Sequence, residues 1–253
     1  MSNILSESEE KILRTLRQDL NLVGFANSLE QQFVNPKNFM ELTFIERLEQ
    51  CIENQCLFNK NKRLATLLHA AKLPKEYTMR SLDPSRYRDI KREMWAYLSS
   101  GNWIFKADNI IIRGKSGSGK TSLASALGYL SCALGYKTLW VRTNELITKI
   151  KSINDEVQRT KIIERYDKVH CLILDDFLIH DVATSEEIRI LYRLMDGRDA
   201  KLPTIFVTQL NSTGISTMLG NDFSADGLKD RILGPAYFIE LNNEEGRTPS
   251  TKI

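Results

Sequence analysis

The stretch "NIIIRGKSGSGKTSLASAL" (109–127) decides the fold of this chain. An isoleucine-rich segment is followed by a loop of glycine, serine and lysine, and then by a segment typical of a helix. The loop fits the pattern G-x-x-x-x-G-K-[ST] of a phosphate-binding loop, and a preceding strand and a following helix are the context that this pattern requires. The four matching positions are Gly114, Gly119, Lys120 and Thr121.

The chemistry of this loop follows from its residue types. Gly117 and Gly119 allow backbone conformations that a Cβ would obstruct, so successive N–H groups can converge on phosphate oxygens at a helix N-terminus. Lys120 adds a positive charge between the β- and γ-phosphates, and Thr121 offers a hydroxyl to Mg²⁺. The simpler alternative is a glycine-rich turn before a helix. We predict a site for ATP and Mg²⁺ formed by Gly114, Lys115, Ser116, Gly117, Ser118, Gly119, Lys120, Thr121 and Ser122.

A second apolar run, "VHCLILDD" (169–176), ends in two carboxylates. Asp175 lies where a phosphate-loop fold places the carboxylate of the magnesium shell, so we predict that it contributes to the metal site together with Thr121. Asp176 follows at a position where a carboxylate could orient the attacking water. An aspartate is one methylene shorter than the glutamate usual at that position. The alternative is that the two acids simply end a strand.

A third run, "PTIFVTQLN" (203–211), places Gln209 at a strand tip. There the side chain would lie between the two earlier strand ends and could hydrogen-bond the γ-phosphate or the water, so Gln209 joins Asp176 as a predicted catalytic residue.

Short apolar runs that alternate with helical stretches indicate a parallel sheet covered on both faces. At least five such runs follow residue 76, and we predict an α/β domain over 76–253. Residues 1–75 show helical spacing and almost no glycine or proline, which predicts a small all-helical domain broken at Asn35 and Pro36. The five runs are 109–114, 137–142, 169–176, 203–210 and 236–241.

Composition excludes several classes of protein. The formal charge is +3, so charge alone does not indicate a nucleic-acid partner. Four cysteines without C-x-x-C spacing are typical of free thiols in a reducing compartment. The chain begins with acidic residues where a signal peptide would be basic, and no apolar run reaches the length of a membrane span. We expect a soluble, cytoplasmic protein without a membrane partner.

With these three elements in order, the chain resembles the IstB-like branch of the AAA+ ATPases, the transposition helpers of insertion sequences, which are related to the DnaC helicase loaders. The resemblance covers most of the chain, including 44–74 and 101–147, and "TQLN" stands where the family has a serine or threonine followed by Gln-Leu or Asn-Leu. It implies a five-stranded AAA+ sheet and an ATPase that forms a homo-oligomer on duplex DNA and recruits a transposase. Leu178 stands where the family commonly has a glycine, and Ser116 and Ser118 replace common proline or threonine.

The same resemblance assigns two arginines. "ADGLKDRIL" (225–233) is similar to the family's motif in which an arginine reaches into a neighbouring subunit's ATP site, and that residue is Arg231 here. The alternative is an ion pair of Arg231 with Asp230 on a helix surface. "FIELNNEEGRTPS" (238–250) resembles the last strand followed by an arginine that senses nucleotide in the same chain, which implies Arg247.

DNA contacts are expected between the second and third strands, the region that faces DNA in this branch of ATPases. Lysine and arginine there would bind phosphates without reading bases. The alternative is an ordinary solvated helix face, and a second basic candidate lies in the run 59–72. The predicted contacts are Lys149, Lys151, Arg159 and Lys161.

Three other functions remain open. A DnaC-like helicase loader would share the ATPase and differ in the N-terminal domain. A small-molecule phosphotransferase could use the same loop, although neither a lid nor an acceptor pocket is evident. A switch that binds ATP and barely hydrolyses it would fit the short side chain of Asp176.

Overall fold

The computed structural model describes residues 5–178, 182–220, 223–234 and 236–242. The chain divides into two compact units, Met1–Thr66 and Leu67–Ile253. The division falls inside a long helix, where no sequence signal marks it, whereas the change in pattern near residue 75 marks the end of that helix.

The first unit is helical. It contains α1 (Glu7–Arg14), a π-helical turn (Thr15–Asp19), α2 (Val23–Val34), a 3-10 turn (Pro36–Phe39) and most of α3 (Phe44–Ala71). Its helices pack closely, because a Cβ on Gly24 would lie only 2.7 Å from the carbonyl oxygen of Asn54. Several apolar residues of these helices and turns are nevertheless exposed, namely Ile12, Leu20, Phe44, Ile45 and Ile52.

The second unit alternates helices and strands. Its helices are α4 (Arg92–Ser100), α5 (Asn102–Phe105), α6 (Lys120–Ala133), α7 (Thr143–Lys151), α8 (Glu156–Asp167), α9 (Ser185–Arg198), α10 (Ser212–Leu219) and α11 (Phe223–Leu233). Its strands are β1 (Asn109–Gly114), β2 (Thr138–Arg142), β3 (Cys171–Asp175), β4 (Thr204–Thr208) and β5 (Ala236–Leu241). Among the described residues, no helix is both long and apolar enough to cross a membrane.

The five strands form one parallel sheet in the order β2-β3-β4-β1-β5. Both faces are covered, since Ile111 packs into one apolar cluster and Ile110 and Ile112 into the other. Burial on both faces explains why the strands read as continuous apolar runs. The predicted fold, a parallel five-stranded sheet flanked by helices, is therefore confirmed.

The strand order determines which strand ends lie next to each other. β4 lies between β1 and β3, so the residues after these three strands gather at one edge of the sheet. In open α/β sheets, ligands bind outside the carboxyl ends of the strands. The phosphate-loop segment, the acidic pair and Gln209 all follow strands at that edge.

A fully buried arginine fixes the opposite end of β3. The Arg198 guanidinium donates to the carbonyl oxygens of Val169 and Pro203 at 2.6 Å each, to those of Tyr166, Asp167 and His170, and to the Thr204 hydroxyl. Burial lowers the pKa of Arg198 to about 10. A buried guanidinium is tolerated when its donors are satisfied, and here they tie the chain before β3 to the chain before β4.

Candidate active site

The loop between β1 and α6 has the backbone of a phosphate cradle. Gly117 and Gly119 have φ values of +85° and +93°, in the left-handed region that favours glycine, and Gly119 is the N-cap of α6. Gly114 has no space for a side chain, since a Cβ would lie 2.5 Å from the Leu241 carbonyl oxygen. The loop therefore presents the N-terminus of α6, where backbone N–H groups attract anions.

Lys120 folds back onto the loop. Its ammonium donates to the carbonyl oxygens of Gly114 at 2.7 Å and Lys115 at 2.8 Å. Burial lowers the pKa of Lys120, and the carboxylates of Asp175 and Asp176 oppose that shift. A partly desolvated cation next to a helix N-terminus suits a polyanion, so these residues fit the triphosphate of a nucleotide.

Tyr87 supports this loop from the segment before α4. Its hydroxyl donates to the Gly119 carbonyl oxygen at 3.2 Å, and a Cβ on Gly119 would lie 3.1 Å from the same hydroxyl. Tyr87 is buried, which raises its pKa to about 12. No motif predicts this role, because Tyr87 lies in a polar linker far from the loop along the chain.

The acidic turn, defined here as Asp175–Leu178, follows β3. An oxygen of the Asp175 carboxylate accepts the Asp176 N–H at 3.0 Å. Burial raises the pKa of Asp175, and the neighbouring Asp176 carboxylate adds to the shift. Asp176 and Leu178 have φ values of +52° and +55°, which lie in the left-handed region that favours glycine. The turn therefore holds two strained residues and two carboxylates that repel each other.

Neighbouring strands hold the acidic turn on both sides. The Thr143 hydroxyl, at the start of α7, donates to the Asp175 carbonyl oxygen at 2.9 Å. The Thr208 hydroxyl, at the end of β4, donates to the Phe177 carbonyl oxygen at 2.8 Å. The Phe177 side chain is fully buried against Phe206, with ring centroids 4.8 Å apart.

Both predicted metal ligands, Thr121 and Asp175, line one cavity of about 640 Å³ together with the predicted catalytic residue Asp176. Lys149 lines it as well, which brings a predicted DNA contact close to the acidic pair. Oxygen ligands of this kind suit Mg²⁺, which keeps several positions for water and phosphate oxygens. Within the described ranges no group of three or more His, Cys, Asp and Glu converges as a metal site. The Thr121 hydroxyl and the Asp175 carboxylate are oxygen ligands that fit Mg²⁺ with water and phosphate oxygens in its other positions.

Gln209 lies immediately after β4, and its side chain is exposed at the same edge of the sheet. The structure therefore gathers the phosphate loop, the acidic pair and Gln209 around the carboxyl ends of β1, β3 and β4. The remaining loop residues, Lys115, Ser116 and Gly117, are exposed there, and Ser118 is buried.

Arg231 lies elsewhere, on α11, and is held by its own chain. Its guanidinium donates to Asp196 at 2.6 Å and to the Gly227 carbonyl oxygen at 2.9 Å, and it lies 4.5 Å from the centroid of the Tyr192 ring. The ion pair is thus with Asp196 on α9, not with the adjacent Asp230 considered from the sequence. Gly227 makes this packing possible, since a Cβ there would lie 2.9 Å from Tyr192. Arg247 falls outside the described residues.

The predicted DNA contacts differ in what surrounds them. Lys151 forms an ion pair with Glu187 at 3.2 Å, and Arg159 forms one with Glu186 at 3.3 Å. Arg159 also donates to the carbonyl oxygens of Ile153 and Lys151, which anchors the connection between α7 and α8. Lys149 and Lys161 are exposed on α7 and α8. The geometry gives Lys151 and Arg159 a structural role that spacing alone did not indicate.

The chain was compared with known families and proteins. The family model described as IstB-like ATP binding protein matches residues 15–252. A relative from Pseudomonas fluorescens, named as an ATP-binding protein of insertion sequence IS1162, is 34% identical over 198 residues, which cover 77% of this chain and 84% of the relative. Another from Sinorhizobium fredii, named as insertion sequence ATP-binding protein y4pL, is 28% identical over 90% of this chain and 92% of its own length.

Solved structures share the fold. A DnaI structure superposes with a TM-score of 0.56 at 19% identity and covers 72% of this chain and 93% of its own. A DnaA structure from Aquifex aeolicus with bound AMPPCP has a TM-score of 0.55 at 17% identity, covering 67% of this chain and 51% of its own. At these identities the likeness concerns the fold alone.

Proposed function

Because the chain belongs to the family of IstB-like ATP-binding proteins, we propose that it hydrolyses ATP and uses the nucleotide to assemble on duplex DNA, where it recruits or activates the transposase of an insertion sequence. The observation that carries the proposal is the convergence of the phosphate loop and the acidic turn on one edge of the sheet. Such an arrangement suits phosphoryl transfer, in which catalysis consists of positioning and charge stabilisation.

Each residue at this edge has a role in the proposed hydrolysis. The backbone of the loop and Lys120 bind the phosphates. A bound Mg²⁺ supplies neutralisation of phosphate charge, and Thr121 and Asp175 are the residues that would hold it. Asp176 accepts a hydrogen bond from the attacking water and so orients it, and Gln209 hydrogen-bonds the γ-phosphate or the same water. The side chain of Asp176 is short, so its position depends on the backbone of the acidic turn.

Arg231 would complete the site of a neighbouring subunit. An arginine supplied in trans to the γ-phosphate contributes roughly 10³ to 10⁵ in rate in related phosphoryl-transfer enzymes. Arg231 has to leave Asp196 and the Tyr192 ring before it can serve another subunit. Hydrolysis would then depend on assembly, as expected for a homo-oligomer formed with ATP. Arg247, outside the described residues, is proposed to sense nucleotide in its own chain.

Lys149 and Lys161 would contact DNA phosphates, because both are exposed and lie on the two helices between β2 and β3. Lys151 and Arg159 would support that surface and contribute charge. Contacts of this kind bind without base readout, so affinity should fall steeply with salt. The relatives' names direct the proposal to insertion sequences. We place the protein in the cytoplasm, where the four free cysteines would stay reduced.

A helicase loader of the DnaC type is the second candidate, favoured by the likeness to a DnaC structure with a TM-score of 0.51 at 18% identity. The partner separates the two proposals. A pull-down with the transposase encoded beside the gene and with the replicative helicase of the same cell would show which protein is bound in the ATP state.

Sedimentation with a duplex oligonucleotide tests the assembly, in the presence of ATP, of ADP and of no nucleotide. We expect large DNA-bound particles with ATP alone. The Arg231→Ala variant should assemble and lose most turnover, whereas Lys229→Ala, which removes another cation paired on α11, should keep both properties. A monomer in every condition, or equal DNA binding with and without ATP, would overturn the proposal.

A further inference from the structure

We propose that Thr143 and Thr208 are positioning residues that hold the acidic turn in the geometry needed for hydrolysis. This inference rests on the proposed ATPase activity and adds two residues to it. Neither hydroxyl reaches solvent, because Thr143 and Thr208 are 1% and 0% exposed. They act through backbone atoms of the turn, so they are not catalytic residues themselves.

Thr208 connects the turn to the end of β4. Its hydroxyl donates to the Phe177 carbonyl oxygen at 2.8 Å and accepts the Leu210 N–H at 3.1 Å. The Phe177 N–H in turn donates to the Val207 carbonyl oxygen at 2.9 Å. Both backbone groups of Phe177 are therefore bound to β4, and the same hydroxyl fixes the chain on either side of Gln209. One side chain thus sets the spacing between Asp176 and Gln209.

Thr143 connects the turn to the opposite side. It follows β2, which pairs with β3, and its hydroxyl donates to the Asp175 carbonyl oxygen at 2.9 Å. The two threonines consequently hold carbonyl groups on both sides of Asp176, one from each neighbouring strand. Since Asp176 lies between two fixed carbonyls, its backbone is restrained, and this determines where its carboxylate projects from the turn.

The backbone of the turn needs such restraint. Asp176 and Leu178 have positive φ values, which side chains with a Cβ adopt at a cost of about 1–2 kcal/mol. Asp175 and Asp176 also repel each other when both are charged. Without the two hydroxyl bonds, relaxation of the turn would relieve both strains and move the Asp176 carboxylate.

The expected defect lies in turnover and not in nucleotide binding. ATP is bound by the loop after β1, which makes no hydrogen bond to either threonine among the described contacts. Misplacing a catalytic group by 1 Å costs on the order of 10² in rate. We therefore expect Thr208→Val, which keeps the shape and removes the hydroxyl, to lower kcat by about 10-fold or more with little change in KM for ATP.

The experiment compares Thr208→Val, Thr208→Ser, Thr143→Val and Thr143→Ser with the unmodified protein in steady-state ATPase assays on duplex DNA. ATP affinity and melting temperature are measured in parallel. The serine variants retain the hydroxyl and should recover most of the lost kcat. Thr217→Val is the matched control, because the exposed Thr217 hydroxyl also donates to a backbone carbonyl, that of Thr213 at 2.9 Å, but in a surface helix.

The outcomes separate the inference from the proposed function. A valine variant that folds and retains the full kcat overturns the inference, and so does a serine variant that is as slow as its valine counterpart. If Thr208→Val does not fold, Thr143→Val decides the matter, since it leaves a single carbonyl without a donor. An unmodified protein that assembles on DNA but never turns over ATP overturns both this inference and the ATPase.

Discussion

The phosphate loop and the acidic turn solve the same backbone problem in different ways. Each reverses the chain after a buried strand, and each contains two residues with positive φ. In the loop these residues are Gly117 and Gly119, for which that conformation is unstrained. In the turn they are Asp176 and Leu178, and hydrogen bonds from Thr143 after β2 and from Thr208 at the end of β4 maintain the conformation. The backbone conformation of the loop follows from its own glycines, whereas that of the turn depends on hydrogen bonds from neighbouring segments.

This difference predicts how each region fails. A change in the loop should abolish nucleotide binding while the fold persists. A change in or around the turn should leave binding intact and alter turnover or stability. Substitutions in each region test that separation.

Lys120→Ala should have the largest effect. Loss of the ammonium removes the charge that stabilises the phosphates, and we expect ATPase activity to fall by about 10² to 10³ together with ATP affinity. Equilibrium binding of a fluorescent ATP analogue measures the second quantity. Lys137→Ala, at an exposed position beside the start of β2, should change neither. Retained ATP binding in Lys120→Ala would contradict the proposed role of the loop in binding ATP.

Asp176→Asn should separate the two regions more cleanly. Asparagine tolerates a positive φ, so the turn is kept and the negative charge is lost. We expect kcat to fall on the order of 10², with ATP affinity unchanged or improved because repulsion of the phosphates is reduced. Single-turnover hydrolysis and binding measured on the same sample give the answer. Unchanged turnover would favour a switch that binds ATP without using Asp176.

Two substitutions at residues with positive φ, one in each region, should have opposite consequences. Gly119→Ala forces a Cβ into a φ of +93° and towards the Tyr87 hydroxyl, and should lower ATP affinity by about 5- to 10-fold, equivalent to about 1–1.4 kcal/mol. Leu178→Gly relieves strain but removes a buried side chain, so the protein should become less stable by about 1–3 kcal/mol while ATP affinity is kept. Titration with ATP and chemical denaturation measure the two effects. Equal losses of affinity would contradict the distinction.

Asp175→Asn should have the smallest effect, a change in the thermal stability of the ATP-free protein. The pKa of Asp175 is raised in the folded state, so the unfolded chain releases this proton first as pH rises. The free energy of unfolding therefore falls as pH rises from the ordinary aspartate pKa to the raised one, and it stays lower at higher pH. The variant should melt roughly 2–4 °C higher at neutral pH, and the gain should vanish below the ordinary pKa. A gain that persists in acid would exclude this cause.

Much of the fold was predictable from local patterns. The runs 109–114 and 236–241 coincide with β1 and β5, and the other three runs exceed β2, β3 and β4 by one to three residues. Apolar periodicity and loop composition are properties of neighbouring residues, so they are visible in the sequence. The exposed apolar residues of α3 were not predictable, because spacing indicates a helix but not what covers it.

The site was predictable only where its residues lie close together along the chain. The loop and the acidic pair follow from short motifs, whereas the partners that hold them are distant. Tyr87 is 32 positions from Gly119, and Asp196 is 35 positions from Arg231. From the sequence, the adjacent Asp230 was the alternative partner of Arg231, and the structure shows Asp196 in its place. Contacts of this length depend on the packing of whole elements, which no short motif records.

Tyr87 also gives the protein an optical property. Its ring lies 5.6 Å from that of Trp95, centroid to centroid, while its hydroxyl contacts Gly119. Trp95 is half-buried, whereas Trp103 is fully buried. If the loop moves when ATP binds, Tyr87 should move with it. The surroundings of the Trp95 ring would then change, and so would its fluorescence emission. Unlabelled ATP could then be titrated by intrinsic fluorescence. Trp95→Phe should remove the contribution of Trp95 without weakening binding, whereas Trp140, which lines the same cavity as Thr121 and Asp175, should keep its own response.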